Sequence, residues 1–380
     1  MKQYSNAYLA LMGKSPGRVP SYEHLSNPDF VKLVTGIDPW ERPRSAMLEF
    51  YRVMDIDFLF KGIPEDDTPI RKYEESESSV EDEEGHHRVR WGTSYTNHWD
   101  WGTGFKTVED VLAYDPLEHL DMRNIEVIEK RDYSLDDDAF FEAYYANPPL
   151  SEEDPEHKNS DIVTVSAGGF YNTLFMWPML TFGWELFLEL IGCYPDEAKR
   201  IIDGFATISR KVFKSLARTP DHVNMMVCHD DICMTKGPVC SPNWLRGYIY
   251  PHYEEFFSIL KAGGKRVVFV SDGNIDKVAD DLAACGADGF VSEPYTDWKV
   301  LAARYPNHVL AGEGDNRILM DGDASEIRRM VDSMVETAKM CGGYMMCVGN
   351  HIPWNVPPEN VQTYFNHCRE NAVRSYPLSR

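Results

Sequence analysis

Five short apolar runs in the C-terminal part of the chain stop abruptly at charged or amide side chains. The first ends in Cys228-His229-Asp230-Asp231, the second in Ser271-Asp272-Gly273-Asn274, and the third in Ser292-Glu293-Pro294 with Asp297 a turn later. The fourth ends in Gly312-Glu313-Gly314-Asp315-Asn316-Arg317 and the fifth in Gly349-Asn350-His351. Carboxyls and imidazoles crowded together suit proton transfer, because burial and mutual repulsion raise a carboxyl pKa until it holds its proton near neutrality. Each position also has a plainer use. An Asp or Asn after a strand often only caps the next helix, and Asp276 and Asp323 read that way. Asp272 and Asn274 flank a glycine, more than a cap needs, and read as site contacts. Asp230 and Asp231 are neighbours in an extended run, so they cannot both face the site. One of them is structural, and Asp231 or His229 faces inward. Glu313 and Asp315 flank a glycine turn that either can serve simply by pinning it. Asn350 beside His351 costs desolvation unless the pair is used.

The cysteines offer less. Cys228 and Cys347 fall inside strands, where a small apolar residue is the default explanation. Zinc takes about four ligands, usually His and Cys at short spacing on adjacent elements, and no His-x-Cys pair ends a strand here. A metal site would have to be built from His229, the strand-end carboxylates and His351, and none is assigned.

These residues need a scaffold that brings strand ends together. Strands read from β-branched runs are Ile162–Ser166, Asn224–Cys228, Arg266–Val270, Gly289–Ser292, His308–Ala311 and Tyr344–Val348, with Arg18–Tyr22 and Ile56–Phe60 upstream. Helical segments at 41–54, 246–262, 275–285, 297–304 and 323–341 separate them. Eight strands in β-then-α order predict an α/β fold, a (βα)8 TIM barrel, in which functional groups sit at the C-terminal strand ends. No GxGxxG follows the first strand, so a dinucleotide-binding open sheet has no support. The chain reads as a single domain over 1–380 with an N-terminal extension and an insertion at 64–160. That insertion holds an acidic solvated loop (64–84), a hairpin rich in aromatic residues (86–106) and helical or loop-like chain (107–160). Trp91, Tyr95, Trp99 and Trp101, with Phe170, Tyr171 and Trp177, either wall a flat apolar substrate or pack the hairpin and core.

The bulk composition mainly excludes. A 380-residue chain with 43% hydrophobic and 12% aromatic residues buries a large core. Its formal charge of -23 would repel nucleic acid and anionic membrane, so neither is expected as a partner. The most apolar stretch, Ile162 to Cys193, is broken by Gly168-Gly169, Asn172, Pro178 and Glu185 and is no membrane span. Eight cysteines without a CxxC pair and without a signal peptide read as reduced thiols in the cytoplasm.

"GRVPSYE", "HDDICMTKGPVCSPNWLRGYIYPHYEEFFSILKAGGKRVVFVSDGN", "DLAACGADGFVSEP" and "GYMMCVGNHIPWNVPPENV" together resemble the uroporphyrinogen decarboxylase superfamily over about residues 160–376. Within it the chain looks most like the corrinoid-linked methyltransferases, in particular the first methyltransferase of anaerobic O-demethylase systems. The tetrapyrrole decarboxylases open with an arginine-bearing motif, matched here only by Arg18, which argues against that activity. Zinc-dependent, thiol-methylating relatives end strand five with His-x-Cys and strand eight with Gly-Cys. Val270, Asp272 and Asn350 stand at those positions, so zinc is not expected.

The resemblance then implies transfer of a methyl group from a small methoxylated substrate to the Co(I) corrinoid (cobalamin) of a separate corrinoid-binding protein, by an enzyme that is a homodimer in many relatives. His229, Asp231, Asp272, Glu293 and His351 become acid or orienting candidates, Asn274 and Asn350 hydrogen-bond donors, and Phe170, Tyr171 and Trp177 substrate contacts. A lyase acting on a carboxylated substrate is the rival enzyme class, with Arg317, Arg246 and Lys236 as its available cations. A binding role on a degenerate barrel is the third, disfavoured by the intact polar set.

Overall fold

The computed structural model describes residues 6–54, 57–59, 63–72, 79–81, 87–91, 94–97, 104–119, 131–145, 165–219 and 223–372. β-Branched and large apolar residues give seven strands that pair side by side, all parallel. They are β1 (Phe58–Leu59), β5 (Val165–Phe170), β6 (Val223–His229), β9 (Arg266–Val270), β10 (Gly289–Val291), β11 (Val309–Ala311) and β12 (Gly343–Tyr344), in that spatial order. The extended segment around Ser21 supplies the eighth stave. It bridges in parallel to Met346, with Tyr22 N donating to Met346 O at 2.8 Å. On its other side Asp57, just before β1, accepts from Arg18 Nη2 (2.8 Å) and Ser21 N (3.0 Å), so a buried carboxylate closes the barrel there. The TIM-type barrel expected from the strand count is therefore present.

Boundaries moved where local chemistry overrode periodicity. Strand β5 extends to Phe170, while 162–164 lie outside the described residues. The helix expected over 246–262 is two, Pro242–Tyr248 and Tyr250–Ala262, because Pro251 cannot donate into a continuous ladder. In the insertion, β3 (His87–Trp91) pairs with β4 (Ser94–Asn97) as the expected hairpin. The acidic segment contributes a third strand, β2 (Ser79–Glu81), paired to β3. Trp99 and Trp101 lie outside the described residues. A further two-stranded ribbon, β7 (Cys233–Met234) with β8 (Gly237–Pro238), turns over on Thr235-Lys236 just beyond β6.

Strand periodicity decides what reaches the mouth. In β6, Met225 and Val227 point into the bore, while Met226 and Cys228 face the helical layer. In β9, Val268 and Val270 point in, while Val267 and Phe269 face out. Two residues on, the same alternation delivers His229, Asp272 and (from Val291 of β10) Glu293 to the bore, and turns Asp230 towards the helices. Cys347 lies in the bore core, 2% exposed, as a packing residue. Among the described residues no helix is long and apolar enough to cross a membrane.

Candidate functional site

Asp230 builds the support beneath the site. It is fully buried and accepts from the backbone N–H groups of Leu174 (2.6 Å), Phe175 (2.6 Å) and Met176 (2.7 Å) and from Tyr253 Oη (2.6 Å). Its carboxylate thus caps the otherwise uncapped start of the helix Met176–Phe182 and pins it to the end of β6. Between the two Asp residues, the structural one is therefore Asp230, and Asp231 turns to the bore with His229.

His229 meets acceptors at both ring nitrogens: Nδ1 lies 2.8 Å from Tyr171 O and Nε2 3.3 Å from Asp231 Oδ1. Two acceptors require two N–H groups, the imidazolium. Burial disfavours that charge, but Asp231, the Tyr171 carbonyl and Asp272 outweigh it and push the His229 pKa up to about 9. Asp231 stays ionised: burial would raise its pKa, yet the His229 charge and hydrogen bond, with Asp272 N–H donating at 2.9 Å, bring it below the ordinary value. The Tyr171 ring lies stacked on His229, centroids 4.2 Å apart, and remains 48% exposed at the rim.

Asp272 behaves in the opposite way. Burial, and then the charges of Asp231 and Glu293, raise its pKa to about 7, so at neutral pH a large share of Asp272 carries a proton. Glu293 is oriented by Gly273 N–H, which donates to its Oε2 at 2.7 Å. Only glycine fits at 273: its φ is +86°, and a Cβ would stand 2.4 Å from the Met234 carbonyl carbon. The β7–β8 ribbon is thereby packed directly on the loop that carries Asp272.

Asn350 joins the two sides of the mouth. Its Nδ2 approaches Asp272 Oδ2 (3.4 Å) and its Oδ1 receives His351 Nδ1–H (2.9 Å). It is the only non-glycine residue with positive φ (+70°) among those described, and Asn is one of the few side chains that accept that conformation. Asn350→Gly should keep the turn and leave stability within ~0.5 kcal/mol, whereas Asn350→Val should lose about 1–2 kcal/mol in chemical denaturation. If both variants unfold alike, backbone conformation is not what selects Asn here.

The remaining expected site residues fall elsewhere. Asn274 holds its own loop, donating through Nδ2 to Tyr295 O (2.6 Å) and accepting from Asp276 N (2.9 Å). Asp276 is no helix cap: it accepts from Asp297 N (2.9 Å), tying two strand-end loops together. Asp297, Asp315 and Asp323 are the caps. Glu313 is turned out by Gly312 (φ +116°) and accepts from Thr337 Oγ1 (3.0 Å) and Tyr344 Oη (2.7 Å). Trp177 is fully buried with Nε1 on Asn172 O (2.6 Å), and Phe170 packs between it and Phe213. Both belong to the layer between sheet and helices, not to the mouth.

The aromatic wall is Trp184 instead, which sequence reading passed over. Gly183 (φ +80°) breaks the chain between the helices Met176–Phe182 and Trp184–Cys193 and re-aims it. Trp184, with Met179, Cys233 and Met234, lines a cavity of about 390 Å³ whose polar wall is Asp231, Asp272 and Glu293.

Glu23 and His24 were also passed over. The His24 ring lies 5.8 Å from that of His351. Glu23 is half-buried against the last stave, accepting from Val348 N (3.2 Å) and from the Tyr364 hydroxyl. Burial raises its pKa to about 8 against those two hydrogen bonds. The folded state therefore holds this proton more tightly than the unfolded chain, whose Glu titrates near ~4.3. Stability should fall as pH rises between about 4.3 and 8 and then level off. Glu23→Gln should flatten that slope in denaturation at pH 5 and 8, and an unchanged slope would assign it to other groups.

The site offers zinc a poor donor set. His229 has both nitrogens engaged, and Val270, Asp272 and Asn350 supply no thiolate. Among the described residues no three His, Cys, Asp or Glu side chains converge as a metal site.

No curated protein sequence matches the chain. Among solved structures, a methyltransferase from Methanosarcina mazei shares the fold at 16% identity, with 97% of this chain and 99% of that one covered and a TM-score of 0.56. At that identity the likeness establishes the fold alone. The uroporphyrinogen decarboxylase (URO-D) family matches residues 175–371, from the helix that Asp230 caps to the end of the last helix, more than half of the chain, and the chain belongs to that family.

Proposed function

We propose that the protein is a methyltransferase that moves a methyl group from a small methoxylated, aromatic substrate to the Co(I) corrinoid of a separate corrinoid-binding protein. The observation that carries this is the placement of Asp272: its carboxyl lines a cavity walled by Trp184, shares that wall with Asp231 and Glu293 and lies 3.4 Å from Asn350 Nδ2, where burial and the two neighbouring charges raise its pKa to about 7. A phenolate or alkoxide leaves poorly unless it is protonated as the C–O bond breaks. The electron pair of that bond goes to oxygen, oxygen takes the Asp272 proton, and the methyl passes to the cobalt nucleophile brought by the partner. Asp231, fixed by its ion pair with His229, keeps a negative charge beside Asp272, and His351 acts through Asn350. The acceptor comes from the resemblance to corrinoid-linked methyltransferases, and the poor fit to zinc supports leaving-group protonation over metal-activated thiol chemistry.

The lyase alternative needs a free cation to hold a carboxylate. Two of its three candidates are engaged, Arg317 with Asp315 (2.7 Å) and Arg246 with Asp281 (2.9 Å), and the third, Lys236, lines the neighbouring outer cavity and not the one that holds Asp272. The test is incubation with reduced corrinoid carrier and a panel of methoxyarenes. Loss of the Co(I) absorbance with release of the matching phenol is expected, from protein that contains far less than one equivalent of zinc. No methyl loss from any donor, with CO2 released from a carboxylated one, would establish the lyase instead.

A further inference from the structure

Beside the acidic cavity lies a larger one, of about 720 Å³, and the two share Trp184, Met234 and Val239 as walls. Their charges are opposite. The inner cavity is lined by Asp231, Asp272 and Glu293, while the outer is lined by Lys236 and Lys277 and by no carboxylate, in a chain of net charge -23. Among the described residues neither lysine is ion-paired. Both are tied to the backbone that carries Asp272. Lys236 sits at the turn of the β7–β8 ribbon, and Asn274 N–H donates to Met234 O at 2.9 Å to hold that ribbon on the Asp272 loop. Lys277 follows the same loop, its Cδ 3.8 Å from where a Cβ on Gly237 would stand.

We propose, building on the methyl-transfer reading above, that the substrate carries an anionic group remote from its methyl ether, and that Lys236 and Lys277 form the subsite for it. The charge layout leaves one orientation. An anion at the inner end would meet Asp231 and Glu293, whereas at the outer end it meets two ammonium groups, with Trp184, Met234 and Val239 along its apolar body. The ether oxygen then faces Asp272. Met234, unbranched and 54% exposed, is the wall between the two ends and the side chain best able to move aside for a ligand that spans them.

The test measures binding by calorimetry, so it does not depend on turnover. Matched pairs are used: 4-methoxybenzoate against 4-methoxybenzamide, and 4-methoxyphenylacetate against its amide. The carboxylate of each pair should bind about 10-fold or more tightly than its amide, with the advantage shrinking as salt is raised. In Lys236→Gln/Lys277→Gln the advantage should vanish while amide affinity stays the same. Equal binding within the pairs, no binding of any carboxylate, or an advantage that survives in the double variant would each overturn the subsite. Lysine-dependent carboxylate binding without methyl loss to Co(I) would keep the subsite and sink the methyl-transfer function.

Discussion

Asp272→Asn is expected to slow methyl release by about 10²–10⁴-fold, the range for removing a general acid, while leaving the protein folded. Asn is isosteric and can still donate a hydrogen bond, so the loss would isolate the proton itself. The pH dependence carries the same information. Asp272 has a pKa of about 7, so its acid form is present below that value and disappears above it. The wild-type rate should therefore fall as pH rises through about 7, and the residual rate of Asp272→Asn should not show that step. Stability should fall with rising pH as well. Burial and the charges of Asp231 and Glu293 disfavour ionised Asp272 in the folded state, so wild type should lose stability as pH rises from about 4 to 7. Asp272→Asn removes that loss and should be the more stable protein at pH 8. A variant that is both slow and less stable at pH 8 would mean the carboxylate holds structure instead of supplying a proton.

How legible the site was in the sequence depends on the strand. Where a run continues regularly to its end, as in β6 and β9, counting by two from a bore residue assigns His229, Asp272 and Asp230 to their sides without coordinates. Applied to β5, the same count would have sent Phe170 outward, where it lies in the outer layer. Where a glycine with positive φ intervenes, the count fails. Gly312 turns Glu313 out to Thr337, and Gly183 gives the aromatic wall to Trp184, seven residues after Trp177. Backbone demand also competes with function for the same side chains. Asn274 looked like a donor to substrate because it flanks Gly273, yet two strand-end loops need its amide to meet each other. Glu23 and His24 were invisible for another reason. They precede the first helix after the first stave and reach the mouth only because the barrel closes, a contact between residues more than three hundred positions apart.

Asp230→Ala should be the most damaging single change outside the mouth. Its carboxylate satisfies three backbone N–H groups at a helix start and the hydroxyl of a fully buried tyrosine, all in a site with no water access of its own. Truncation leaves these donors buried and unpaired, each costing about 1–3 kcal/mol before any relaxation. Partial repair by an entering water brings the expected loss to about 3–5 kcal/mol, a size reserved for broken buried networks. Tyr253→Phe removes one of the four bonds and should cost only about 1 kcal/mol. Asp230→Asn should fall between, because one amide face still accepts while the other presents N–H groups to N–H groups. The consequence reaches the chemistry, since Asp230 stands between His229 and Asp231 and holds both the end of β6 and the Leu174–Met176 turn that leads from Tyr171. If that turn loosens, His229 loses its carbonyl acceptor and the charge beside Asp272 is no longer fixed. Urea denaturation should rank the losses Asp230→Ala, then Asp230→Asn, then Tyr253→Phe, with methyl release falling in the same order. A stable Asp230→Ala protein with normal turnover would show that the helix start keeps its place without a cap, and that the mouth does not depend on it.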